Sequence, residues 1–235
     1  MIGQARVKKL GRLALESRKN VIIVGPSGHG KSMLAREICF GSVIILLNPL
    51  PPMEILEYFE WNMPSKFIVC DEIHSCTKQD LWPLFMDNFM GSVLFTTTDP
   101  HKVIEAITTR SLLLELDPYS LEEIQLMTGL KGQDGEVISK LSRRVPRVAR
   151  NLGQLYRNFP ENIDAFLEIL GVREYEGRLL FSTEIAYLEL LQDGVKSRKS
   201  LMAALNMANF EGVELGLVRL GLVEITDRGR KHVKI

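Results

Sequence analysis

The chain has 235 residues, 46% apolar and 25% charged, which is the balance of a soluble globular protein with room for one large domain or two to three small ones. Its 29 basic and 29 acidic residues cancel, so overall charge does not hold it on nucleic acid, and only a local patch can make such contact. No apolar run is long enough to span a bilayer, and Met1-Ile2-Gly3-Gln4-Ala5-Arg6 carries no signal-peptide hydrophobic region. Cys39, Cys70 and Cys76 fit no zinc spacing, so the expectation is a cytoplasmic protein with reduced, buried thiols.

Gly3 to Ser17 places Ala5, Val7, Leu10, Leu13 and Leu15 among basic residues, which predicts an amphipathic helix leading to a first strand, Val21–Val24. The stretch that follows fits the phosphate-loop pattern: Gly25, Pro26, Ser27, Gly28, His29, Gly30, Lys31 and Ser32. A strand before it and a helix, Met33 to Ile38, after it supply the required context. Backbone N–H groups and the positive helix end cradle phosphate oxygens, and glycines let the chain curl closely around them. Lys31 is expected to reach the β- and γ-phosphates and the Ser32 hydroxyl to hold Mg²⁺, so ATP and Mg²⁺ are the predicted ligands. His29 is expected only to fill the loop, with its side chain toward solvent.

Ser42 to Leu47 reads as a strand buried on both faces, and Pro49, Pro51 and Pro52 precede a predicted helix from Met53 to Glu60. Lys66 to His74 then gives a buried strand ending in Asp71 and Glu72, which a parallel sheet brings beside the phosphate loop. Asp71 is expected to hold the metal through its water shell, and Glu72 to polarise the water that attacks the γ-phosphate. Asp-Glu at a strand end is also a common structural pair. Ser92 to Phe95 continues into Thr96, Thr97 and Thr98, where Thr97 is the candidate for orienting that water; threonine in a strand is equally ordinary β-propensity. A short helix over His101 to Thr109, Arg110 and a fifth strand, Ser111 to Leu116, complete an alternation that argues for a parallel α/β sheet.

Gly25–Ser32, Phe67–His74, and Thr97-Thr-Asp-Pro-His-Lys102 with Thr109-Arg110-Ser111 together resemble the AAA+ ATPases, especially clamp loaders and the RuvB branch-migration motors. The resemblance makes Arg110 a finger that reaches the nucleotide of a neighbouring subunit, where a cation offsets charge developing on the γ-phosphate; a solvated surface arginine is the plain alternative. Arg144 to Leu152 is similar to the RuvB sensor-2 segment, which would aim Arg147 at the phosphates from a helical lid, with a purely structural arginine as the rival. Ser120-Leu-Glu-Glu123 is a capping box, a second lid helix is predicted over Glu136 to Arg143, and Pro146 suits a first helical turn.

Leu179–Leu191, Arg198–Leu205 and Phe210–Leu220 read as three helices, and Gly221 to Arg230 as a strand, turn and basic end similar to the RuvB terminus. That pattern implies a winged helix whose Arg228 and Arg230 meet the DNA backbone. The resemblance begins at Ile2-Gly3-Gln4, which puts Ile2 among the nucleotide-binding residues. The implied fold is α/β, with an AAA+ parallel-sheet P-loop core over 1–118, a small helical lid over 119–171 and a C-terminal winged-helix domain over 172–235. The implied function is ATP hydrolysis at the subunit interfaces of a homo-oligomeric, hexameric ring acting on duplex or branched DNA. Two other readings stand beside it: a loader or transposition-type regulator that assembles on DNA without unwinding, and a nucleotide-controlled protein adaptor. Only Ser75 to Gly91 fills the interval where RuvB carries the hairpin that docks RuvA, so a RuvA-like partner is not implied.

Overall fold

The computed structural model describes residues 1–40, 43–46, 67–89, 91–159, 162–207 and 210–233. The helix predicted over Met53 to Glu60 lies outside them. The chain divides into two compact units, Met1–Tyr119 and Ser120–Ile235. The first boundary falls within a residue of the predicted one, whereas the expected lid and C-terminal domain share the second unit.

The first unit contains α1 (Ala5–Glu16), β1 (Asn20–Val24), α2 (Lys31–Ile38), β2 (Val43–Leu46), β3 (Phe67–Cys70), α3 (Trp82–Asn88), β4 (Ser92–Thr97), α4 (Glu105–Thr108) and β5 (Ser111–Glu115). The strands form one parallel sheet in the order β2-β3-β4-β1-β5. Val21 and Ile23 point to one face, where Val7, Leu15 and Leu34 from the first two helices cover them. Ile22 points to the other, against Phe95, Trp82, Phe85 and Ile107. Both faces are therefore dry, which is why the strands read as continuous apolar runs rather than alternating ones. Trp82 meets Phe95 edge-on, with ring centroids 5.1 Å apart. Within Ser75 to Gly91, α3 starts at Trp82 after a 3₁₀ turn at Gln79–Leu81. The buried Gln79 amide there donates to Lys102 O (3.0 Å) and accepts from Ile104 N–H (3.0 Å). β5 is the sheet edge, and Leu112 and Leu113 are each 43% exposed on it.

The second unit opens with α5 (Leu121–Thr128), whose Ser120 cap accepts from Glu123 N–H while the Glu123 carboxylate accepts from Ser120 N–H. α6 (Gly132–Leu141) begins four residues before the predicted start and stops because Arg143 and Arg144 take left-handed backbone angles. α7 (Pro146–Arg157) has proline at its first turn, as predicted, and passes so close to α5 that a Cβ on Gly153 would sit 2.3 Å from Thr128 O. Gly153→Ala is therefore expected to lower stability by about 1–3 kcal/mol, read as a lower urea midpoint with unchanged slope.

α8 (Ile163–Ile169) leads to a hairpin absent from the sequence reading: β6 (Val172–Tyr175) and β7 (Arg178–Phe181), joined through Glu176 and Gly177, both at positive φ. Residues 179–181, expected to open a helix, are thus a strand, and α9 spans Ser182–Leu191. α10 (Arg198–Leu205), α11 (Glu211–Arg219) and the hairpin of β8 (Val223–Thr226) and β9 (Gly229–His232) follow, with Lys196 bridging to Arg230 at its edge. Tyr187, Leu188, Leu201, Phe210, Leu217 and Val223 form the core of this part. Among the described residues, no helix is long and apolar enough to cross a membrane.

Candidate nucleotide site

In a parallel sheet, loops leaving the C-terminal strand ends share one side, and binding residues gather there. The loop after β1 curls through Gly28 (φ 77°) and Gly30 (φ 87°), and Gly30 caps α2. A side chain at Gly30 is disfavoured by its φ; a Cβ there would only displace the flexible Met1 Cε, 2.9 Å away. Lys31 is 4% exposed, with its ammonium 3.2 Å from Glu72 Oε1 and 3.4 Å from Pro26 O. A buried cation is costly unless paired. Here its partners are the loop itself and the carboxylate at the end of β3.

The Ser32 hydroxyl donates to Asp71 Oδ2 at 2.7 Å, and Thr96 on β4 also donates to the Asp71 carboxylate. The same Thr96 oxygen accepts from Glu72 N–H at 3.0 Å. A hydroxyl beside a carboxylate is the hard-oxygen donor set that suits Mg²⁺, so Ser32 and Asp71 fit the expected metal position. Glu72 takes a left-handed backbone (φ 53°), and its other carboxylate oxygen lies 3.2 Å from His74 Nδ1 and 3.5 Å from Thr98 Oγ1. Thr97 differs from expectation. It is fully buried, and its hydroxyl oxygen accepts from Asp99 N–H and contacts His74 Nδ1 at 3.0 Å. Alternation along β4 turns Thr97 inward, and Thr98, one residue beyond the strand, carries the hydroxyl that faces Glu72.

His29 fills the loop as expected, and its backbone gains a partner that the sequence did not suggest. Its ring nitrogen Nδ1 sits 3.1 Å from Ser27 O, and its own carbonyl accepts the Tyr119 hydroxyl at 3.0 Å. Tyr119 is 2% exposed and closes the first unit. Tyr119→Phe removes one hydrogen bond from the loop's backbone and is expected to weaken nucleotide binding about two- to tenfold, measured by calorimetry. Ile2 is half-buried in the segment whose Gln4 amide pairs with both backbone groups of Asp117. The cysteines are buried as expected, and burial pushes the Cys39 thiol up to about 12.

Arg110 precedes β5, whose Ser111 pairs with Asn20 at the start of β1. The phosphate loop leaves the far end of β1. Five residues at about 3.3 Å each put roughly 16 Å between those ends. Arg110 instead pairs with Asp87 (3.1 Å) and donates to Ala106 O, with its side chain 40% exposed. It borders a groove with Leu10, Leu13 and Leu112.

Arg147 stands exposed in the first turn of α7 in the second unit. A cation there opposes the helix dipole, so the helix itself does not require it. Arg228 is exposed in the β8–β9 turn, whereas Arg230 is only 17% exposed and holds the buried Glu214 at 2.7 Å. Glu214 also accepts from Tyr187 (2.7 Å); burial opposes its charge, but these two partners outweigh it and keep the carboxyl below its ordinary range. Arg230 thus has a structural partner in Glu214, which ties α11 to the hairpin.

A phosphate loop after β1, an Asp-Glu pair after β3 and a hydroxyl-bearing β4 between them define a P-loop nucleotide-binding core. Over its whole length the chain has the fold of RuvB. A proline-to-glycine variant of RuvB from Thermotoga maritima matches with a TM-score of 0.77 at 24% identity, covering 100% of this chain and 94% of that one. An arginine-to-alanine variant of the same protein matches at 0.75 and 24%, covering 99% and 93%. The family model for magnesium chelatase, subunit ChlI, matches residues 1–68. No curated protein matches.

Proposed function

We propose that the chain is a RuvB-like ATPase that hydrolyses ATP between subunits of a homo-oligomeric, hexameric ring and acts on duplex or branched DNA. One observation carries this reading: Lys31, Ser32, Asp71 and Glu72 converge on one side of the sheet, while Arg110 sits at its opposite end.

Lys31 binds the β- and γ-phosphates, and Ser32 and Asp71 would hold Mg²⁺, which would offset charge on the phosphate oxygens. Glu72 accepts a proton from water as its oxygen attacks the γ-phosphorus; the bond to the β–γ bridging oxygen breaks, and ADP leaves. Arg110, too far from its own loop, serves the site of the next subunit, and the exposed Leu10, Leu13 and Leu112 beside it suit a subunit contact. Arg147 is read, from its motif, as a phosphate-sensing cation.

The three C-terminal helices and hairpin are read as a winged helix whose Arg228 meets the DNA backbone. A second reading, the protein adaptor, draws on α11, which exposes Leu215 (46%) and Val218 (36%) beside a single cation, Arg219. Electron microscopy with a slowly hydrolysed ATP analogue and a DNA junction separates the readings. A ring on the junction is the expected result, a spiral at a primer end favours the loader, and no assembly on DNA favours the adaptor. Salt-sensitive DNA binding that weakens on Arg228→Ala would likewise count against the adaptor.

A further inference from the structure

We infer that His74 is the positioning residue for Glu72, holding the carboxylate in its working orientation once nucleotide has drawn Lys31 away. The inference rests on the ATPase reading and adds a residue that the reading does not use.

His74 follows the Asp-Glu pair in a 3₁₀ turn, Ile73–Ser75, and its side chain is 18% exposed. Three groups face its ring. Nδ1 lies 3.2 Å from Glu72 Oε2 and 3.0 Å from Thr97 Oγ1, and Nε2 lies 3.4 Å from Thr98 Oγ1. A carboxylate oxygen against a bare ring nitrogen would bring two lone pairs together, so the hydrogen belongs on Nδ1. Nδ1–H then has Thr97 Oγ1 as its hydrogen-bond partner and presents its positive edge to Glu72 Oε2 at 3.2 Å, and Nε2 accepts the Thr98 hydroxyl. Thr97 fixes the ring from the buried side, its own oxygen being tied to Asp99 N–H at 3.1 Å. Three threonines in a row thus divide the work: Thr96 steadies Asp71, while Thr97 and Thr98 seat the imidazole.

The two oxygens of Glu72 have different partners: Oε1 faces Lys31 and Oε2 faces His74. A triphosphate offers the ammonium more negative charge than one carboxylate does, so nucleotide binding transfers Lys31 from Oε1 to phosphate oxygens. Oε1 is then free to face water, while Oε2 stays on His74. Without the imidazole, the carboxylate either follows Lys31 or turns to solvent, and a base misplaced by about 1 Å loses on the order of 10²-fold in rate. Nucleotide binding, which uses the loop and Lys31, is left intact.

The test measures ATP turnover and the Kd for a fluorescent ATP analogue in wild type, His74→Ala and His74→Asn, with thermal melting of each. His74→Ala is expected to lower kcat by about ten- to hundredfold with Kd and KM within about twofold. Asparagine, whose side-chain N–H can take the place of Nδ1–H, is expected to restore most of the rate. Wild-type kcat in His74→Ala overturns the assignment, as does a loss of kcat matched by weaker Kd and not restored in His74→Asn, which marks a packing role. A wild-type protein that binds nucleotide without turning it over overturns the hydrolysis reading instead.

Discussion

Glu72→Gln is expected to bind ATP as tightly as the wild-type chain and to turn it over about 10²–10⁴-fold more slowly, the range lost when a general base is removed. The amide keeps the size of the carboxylate and can still face His74 Nδ1–H with its oxygen, so the fold and the Thr97–His74 arrangement persist. It cannot take a proton from the attacking water. The pairing with Lys31 is also weakened, because a neutral oxygen replaces a charged one 3.2 Å from the ammonium. A freer Lys31 favours phosphate, so nucleotide affinity is expected to stay level or rise. Single-turnover hydrolysis with the Kd of an ATP analogue checks both halves. A variant that loses binding along with turnover would show Glu72 to be part of the loop's support rather than the base.

The second large effect belongs to Arg110. Arg110→Ala is expected to leave nucleotide affinity within about twofold of wild type and to lower turnover by about 10³-fold or more, the scale of a removed arginine finger. Its present partners, Asp87 and Ala106 O, are exposed, so losing them costs little; surface pairs of this kind contribute about 0–1 kcal/mol. Stability and turnover should therefore separate in this variant. Wild-type turnover in Arg110→Ala would assign the arginine to the surface and remove the reason for placing the site between subunits. Because Arg110 is read as acting on a neighbour, specific activity of the wild-type protein should also rise with concentration as subunits assemble.

Much of the site was legible in the sequence because its signals are local. The glycines of the phosphate loop, the apolar run ending in Asp71-Glu72, the Ser120 capping box and Pro146 each announce themselves within a few residues. The parallel sheet followed from buried runs alternating with helices. What escaped depends on contacts that only the fold brings together. His74 and Thr98 belong to the Glu72 environment because β3 and β4 are sheet neighbours, and nothing in either segment alone says so. Tyr119 reaches the loop from 90 residues away. Thr97 and Thr98 are chemically identical in sequence, and only the strand's alternation decides which faces the site. Arg230 looks like a free cation in a basic tail until α11 places Glu214 against it. The β6–β7 hairpin is hidden for another reason: strands of four residues leave little alternation to read, and Leu179, Leu180 and Phe181 abut the helix at Ser182 with no loop between.

The claim at the centre of this account, that each hydrolytic site is built from two copies of the chain, is tested most directly by mixing the two inactive variants. A subunit with Arg110→Ala keeps an intact loop and Glu72, and a Glu72→Gln neighbour keeps an intact Arg110. Some interfaces in the mixture are then complete. Turnover that rises well above the sum of the separate variants, with a maximum near equal amounts, is the predicted result. A mixture no more active than its two components measured alone, under conditions where both assemble, would contradict it.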